Sequence, residues 1–168
     1  TQGQLNQPQS AINSGMKVAT ARDDGAVYAI AQNQRGAVAG YASVINSINN
    51  ATSSVDVALS AGQSISDLLI QLKAKALAAS DSSLDTASRQ ALNANFTALR
   101  DQITTIVKNA VFNGFNLVDG STTQITALAS ADGQRRLTVS AENMTLGGSV
   151  VTLASTGAIS TPSSRRAA

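Results

Sequence analysis

Residues 27–72 read VYAIAQNQRGAVAGYASVINSINNATSSVDVALSAGQSISDLLIQL, with no proline among them. Apolar and small side chains return every three or four positions. One set runs Val27, Gln34, Tyr41, Ile48, Val55, Gly62 and Leu69. The alternating set runs Ile30 or Ala31, Val38, Ile45, Thr52, Leu59 and Ser66. This heptad spacing predicts an amphipathic helix. A flanking stripe of Val44, Ala51, Ala58, Ile65 and Leu72 widens its apolar face. The helix is expected over residues 23–80, with Asp23 and Asp24 at its start, where acidic groups meet the positive end of the helix dipole. At ~1.5 Å per residue it would form a rod of roughly 80 Å. That is too long for a compact ball of this size, so the rod needs partners along its length.

Asp81-Ser82-Ser83 reads as a turn with capping residues. A second helix is expected over residues 84–110, with a seam of Leu92, Phe96, Leu99, Ile103, Ile106 and Ala110. Two heptad helices joined by a short turn form an antiparallel hairpin. The second is about half as long as the first, so the apolar seam from Val27 to Val44 has no partner within the hairpin and wants another helix. Residues 23–120 then form a helical core that ends in a turn-rich loop over 111–120. Beyond it, Thr122–Ala129 and Arg136–Ala141 alternate with the two-residue period of strands, around a turn at Ala131-Asp132-Gly133-Gln134. Residues 121–157 are thus expected to hold a β-hairpin, with a third short strand at Ser149–Leu153. Residues 1–22 read as an extended or partly helical arm, and residues 158–168 as a flexible tail. The fold class is mainly α with a small β part: a long, coiled-coil-like antiparallel helical hairpin plus a β-hairpin.

Composition closes off much chemistry. The 168 residues are 43% hydrophobic but only 3% aromatic, so the core must be built from Ala, Leu, Ile and Val. Such small side chains suit closely packed helices. The chain has no Cys, His or Trp. Histidine relays, disulfides and ordinary zinc, haem or iron–sulfur sites are therefore excluded, and no cofactor is expected. Twelve basic and ten acidic residues are interspersed to a net charge of +2, which is no field for nucleic acid. Arg135-Arg136 and Arg165-Arg166 are isolated pairs without interleaved aromatics. No apolar run is long enough to cross a bilayer, so no membrane partner is expected. Asp23 and Asp24, adjacent on a helix, point about 100° apart and do not converge as a catalytic or metal-binding pair. No titratable pair stands in a plausible cleft, and an enzyme is not expected.

Two stretches carry a family resemblance. Residues 14–31, SGMKVATARDDGAVYAIA, resemble the conserved N-terminal stretch of bacterial flagellins. Phe112-Asn113-Gly114 through Asp119-Gly120 resembles the loop that follows the second helix in that family. Asp67-Leu68-Leu69 and residues 73–81, KAKALAASD, resemble short flagellins of the alphaproteobacterial type. Element order and spacing agree over about residues 10–155, and two motifs at the right separation make the signal specific. The resemblance implies the inner core domain, D1: a helical bundle beside a β-hairpin, completed in the family by a helix from the C-terminal part of the chain. On it, the sequence reads as a portion of a flagellin.

The resemblance also implies a function and a set of functional residues. The protein would be a structural subunit of the secreted, extracellular flagellar filament, binding other copies of itself, an export chaperone and hook-associated proteins. Ser14, Gly15, Lys17, Arg22, Asp23, Asp24 and Gly25 would form an arm-to-core assembly motif. The helix seam (Val27, Val38, Tyr41, Ile45, Ile48, Val55, Leu59 and Leu69, with Leu92, Phe96, Leu99, Ile103 and Ile106) would pack the bundle and its neighbours. Phe112, Asn113, Gly114, Asp119 and Gly120 would form the loop, with Phe112 and Phe115 as plugs beneath the hairpin. Lys73, Lys75 and Leu77 match the patch that the vertebrate Toll-like receptor for flagellin recognises. Lys75 stands where that patch has Arg, so the planar bidentate fork is lost. The rival within the superfamily is the hook–filament junction protein, which usually has Pro after the paired aspartates where this sequence has Gly25-Ala26. A coiled-coil interaction module outside the flagellum would explain the heptads but not the two spaced motifs.

Overall fold

The computed structural model describes residues 24–159 together with Ile12 and Gly15. The expected arm and its residues Ser14, Lys17, Arg22 and Asp23 lie outside the described residues, Gly15 apart, as do residues 160–168 of the tail. Helix α1 spans Gly25–Ala78, 54 residues. Asp24 caps it: one carboxylate oxygen accepts from the backbone N–H groups of Ala26 and Val27, each at 3.0 Å. Those donors have no partner inside the helix, which is why a short acidic side chain belongs there.

Helix α2 spans Thr86–Asn109, 24 residues, with Asp85 as its N-cap. The Asp85 carboxylate accepts from Ser88 N at 2.7 Å. Arg89 ties the interhelical turn together, its guanidinium donating to the carbonyls of Ala79 at 2.5 Å and Asp81 at 3.2 Å. It thereby satisfies carbonyls left over at the end of α1. Strands β1 (Val111–Phe112) and β2 (Phe115–Asn116) form an antiparallel pair, and β3 (Gln124–Leu128) and β4 (Arg136–Ser140) form a second two-stranded sheet. Mainly helical architecture with a small β part is therefore the fold class.

The chain divides into two compact units. In the first, residues 25–48 of α1 accompany the hairpin end at residues 127–137. Two contacts fasten this unit. Leu128 N donates to Ser47 Oγ at 2.9 Å. At Gly40 an added Cβ would lie 2.8 Å from the Ala131 Cβ and 2.9 Å from its carbonyl oxygen, so the hairpin backbone approaches as only glycine permits.

The second unit holds the core. Ala61, Ile65, Leu68 and Leu72 from α1 cluster with Phe96, Ile103 and Val107 from α2 and with Ala110, its C-cap, sealed by Val118 and Val151. Ile103 is fully buried. Covering a side chain of that size contributes about 1.5–3 kcal/mol. The last residues described are tied to α2 by Arg100, which donates to Gly157 O at 2.8 Å, and by Asn93, whose side-chain oxygen accepts from Ile159 N at 2.8 Å.

Three sequence expectations change. First, the inward face of α1 is the stripe counted as flanking. Val44, Ala51, Ile65 and Leu72 are buried together with Ser54, Ala61 and Leu68, whereas Ile45, Ile48 and Leu59, expected to pack, are exposed; Val27, Val38 and Tyr41 are exposed as the unpartnered part of the seam was expected to be. Both stripes keep the three–four spacing, and the one richer in small residues permits close approach. Val55 and Leu69 are half-buried between them. Second, Ser149–Leu153 is not a strand. Its Val151 goes into the helical core instead, after a turn closed by Gly148 N donating to Thr145 O. Third, the 111–120 loop contains the β1–β2 pair, and Phe115 stays half exposed rather than acting as a plug. Asn116, Leu117 and Val118 are buried in its place.

Asp85 also gives the molecule an acid response. Hydrogen bonds to its carboxylate, first from the backbone N–H and then from the side chain of Ser88, hold its pKa below the ordinary 3.8. A carboxylate whose folded pKa is lowered stabilises fully above its ordinary pKa and loses that contribution as pH falls through the folded value. Asp85→Asn keeps a capping oxygen without a charge. In circular-dichroism melts the variant is expected to unfold near the parent temperature at pH 7, with a smaller drop as the solution is acidified below the ordinary value of 3.8.

Candidate assembly surface

Helix α1 in the first unit carries apolar side chains on a face that the hairpin end does not use. At roughly 100° per residue, Val27, Ile30, Val38, Tyr41, Ile45 and Ile48 fall within an arc of about 80°. The residues against the hairpin, Gly40 and Ser47, fall on another face, as does the buried Val44. The stripe is open to solvent: Val38 is 67% exposed, Tyr41 60% and Ile45 58%. A shallow groove of about 560 Å³ runs beside it, lined by Ala31, Gln34, Arg35, Val38, Ala39 and Ala42. Contiguous apolar surface of this kind marks an interaction site rather than scattered surface leucines.

The second unit has an apolar groove of about 460 Å³, lined by Val55, Leu59, Gly62, Val118, Val139 and Met144 among others. Leu59, expected in the seam, stands exposed at its rim. The expected seam residues of α2 face inward: Phe96 and Ile103 are buried, and Leu92, Leu99 and Ile106 are half-buried. Lys73 and Leu77 are exposed and Lys75 is half-buried. The two units thus divide the expected seam into residues that hold the chain together and residues left for something else.

The loop is positioned from within. Asn113 and Gly114 both have positive φ, 49° and 83°. This is the two-residue turn that joins β1 to β2, and it explains an Asn-Gly pair there. Gly120 also has a positive φ, 80°. The Asp119 carboxylate accepts from Ser121 N at 2.8 Å and Ser121 Oγ at 2.6 Å, which closes the next turn.

The decisive side chain, Asn116, was not singled out in the sequence. Its Nδ2 donates to Val107 O at 2.7 Å, and its Oδ1 accepts from Val118 N at 2.8 Å and Asp119 N at 3.1 Å. One buried amide therefore satisfies a leftover carbonyl of α2 and folds the loop back. Asn in a turn-rich segment hints at the local bonds, but nothing local names Val107.

Among the described residues no group of three or more acidic residues could hold a metal ion. No helix among them is long and apolar enough to cross a membrane. The Asp24 carboxylate is committed to its cap.

The model of the bacterial flagellin N-terminal helical region matches residues 1–123. The chain belongs to the bacterial flagellin family. It is 48% identical to flagellin FljM of Caulobacter vibrioides over 148 residues, which cover 88% of this chain and 54% of the relative. It is 47% identical to flagellin FljK of the same organism over 156 residues, 93% of this chain and 57% of the relative. Flagellin A of Rhizobium meliloti is 32% identical over 112 residues, 67% of this chain and 28% of the relative. This flagellin chain therefore spans about half the length of the Caulobacter relatives it matches.

Asn116→Ala is expected to destabilise the fold by about 2–3 kcal/mol, because it strands buried backbone groups at Val107, Val118 and Asp119. Urea unfolding followed by circular dichroism measures the loss.

Proposed function

We propose that the protein is a structural subunit of the bacterial flagellar filament, secreted and assembled outside the cell by packing of its helices against other copies. The observation that carries this reading is the exposed stripe of Val38, Tyr41 and Ile45 on α1 in a chain of the flagellin family. Burial of apolar surface is non-directional and contributes ~25 cal/mol per Å² before the costs of association. A stripe repeated along a helix suits open, heterologous contacts that propagate into a filament. The arm motif around Ser14, Gly15, Lys17, Arg22, Asp23, Asp24 and Gly25 would set register beside it. The chemistry is mechanical rather than catalytic. An export chaperone and hook-associated proteins would be its transient partners.

In a polymerisation assay of the purified full-length protein, sedimentation and negative-stain microscopy are expected to show filaments. Tyr41→Asp combined with Ile45→Asp, at positions exposed in the subunit, should leave helicity unchanged and raise the critical concentration on the order of tenfold or more. Monomers that only cap hook ends would instead identify the junction protein. Filaments unaffected by the double substitution would remove α1 from the contact.

The patch at Lys73, Lys75 and Leu77 would be a poor ligand for the innate receptor, since Lys75 offers a point charge where a planar fork is needed. A reporter-cell assay is expected to give a much weaker response than an enteric flagellin. Equal potency would refute this.

A further inference from the structure

The apolar groove of the second unit has an oxidisable group in its wall. One side of the groove is α1, through Val55, Leu59 and Gly62, and the other runs from Val139 to Met144. Of the two methionines in the sequence, Met144 is the one among the described residues, and it is half-buried. Its side chain lies against α1. A Cβ added to Gly62 would stand 3.6 Å from the Met144 Cε and 3.7 Å from its Sδ. Gly62 therefore leaves that side of the sulfur uncovered. Both residues line the groove, so the sulfur is reached from it.

The backbone on either side holds this thioether in place. Glu142 N donates to Leu117 O at 3.0 Å, and Met144 N donates to Val118 O at 2.8 Å. Leu117 and Val118 are both buried. Met144 itself packs against the buried cluster of α1 and α2. The backbone over 142–144 cannot follow its side chain outward without breaking bonds to that buried pair. A thioether suits such a place because it is apolar and adaptable. Gly62 and Val118, its neighbours on α1 and on the loop, carry no side-chain donor for a more polar group.

We propose that Met144 is an oxidation site, through which hydrogen peroxide loosens the second unit at the groove. The sulfur lone pair attacks one peroxide oxygen. The S–O bond forms as the O–O bond breaks, and the departing hydroxide takes the proton of the transferred oxygen and leaves as water. The sulfur is oxidised by two electrons and the peroxide is reduced by the same two. The product is a sulfoxide, a polar group with a strong acceptor oxygen where an apolar one stood. In the groove that oxygen either lacks a partner or turns to water and draws the 139–144 segment away from α1. This goes beyond the filament reading and does not rest on it, because it concerns the folded subunit alone.

The test treats the full-length protein with dilute hydrogen peroxide under native conditions and locates sulfoxide by peptide mapping with mass spectrometry. Met144 is expected to oxidise in the folded protein, and the melting temperature by circular dichroism to fall on the order of 5 °C. Met144→Leu, a swap of similar volume, should fold and keep its melting temperature through the same treatment, although Met16 still reacts. Gly62→Ala sets a methyl group at ordinary contact distance from the sulfur and should slow sulfoxide formation at Met144 several-fold. Gly36→Ala brings the same gain in helix propensity with nothing within 4 Å of the new Cβ, and should leave that rate unchanged. A Met144 that reacts only after unfolding in urea overturns the proposal, as does a sulfoxide that leaves the melting temperature where it was. A treated Met144→Leu protein that loses as much as the parent, or equal rates in the two alanine variants, overturns it as well.

Discussion

The fold depends on close packing between α1 and α2, and on a mismatch in their lengths. A helix of 54 residues has a partner of 24. Burial of Ala61, Ile65, Leu68 and Leu72 against Phe96, Ile103 and Val107 can therefore occupy only part of α1. Small side chains on α1 let the helices approach, and the larger residues of α2 fill what remains. Caps and clamps then fix the ends: Asp24 and Asp85 at the helix starts, Arg89 across the turn, and Asn116 where α2 gives way to the loop.

The same mismatch gives the chain its outward character. A helix that repeats its apolar pattern well beyond its partner leaves surface that water does not favour. In the first unit the hairpin end covers one face, through Gly40 and Ser47, and leaves the stripe of Val38, Tyr41 and Ile45 open. In the second unit Leu59 stays exposed at the rim of the apolar groove. Surfaces of this kind suit a subunit whose remaining partners are other molecules, and membership of the flagellin family gives that idea its setting.

Much of the local structure was legible because its causes are local. The three–four spacing specifies α1, Asp24 marks its start, and the run from Phe112 to Gly120 reads as a turn-rich loop, whereas the cap of α2 fell on Asp85 and not on Asp81-Ser82-Ser83. The assembly stripe was legible in part: Val27, Val38 and Tyr41 as surface without a partner in the hairpin, Ile45 and Ile48 only as packed seam. Periodicity measures how apolar residues are spaced, not which face another element will meet. Asn116 was not legible as a keystone, since one of its partners lies nine residues earlier on α2. The expected third strand failed for a related reason: alternation over Ser149–Leu153 is satisfied as well by one valine entering a helical core as by pairing with a sheet.

By itself, the sequence determined which segments are helical, where they begin, where the chain turns, which cofactor chemistries are closed to it and which family it resembles. Each of these depends on a residue's own covalent make-up or on neighbours within a turn or two. Only the tertiary structure decided which of two equally spaced stripes on α1 faces inward, that Gly40 sits under Ala131, and that Asn116 binds the end of α2 to the loop. Those outcomes depend on volumes and hydrogen bonds matched between segments far apart in the chain, and no local pattern encodes such a match.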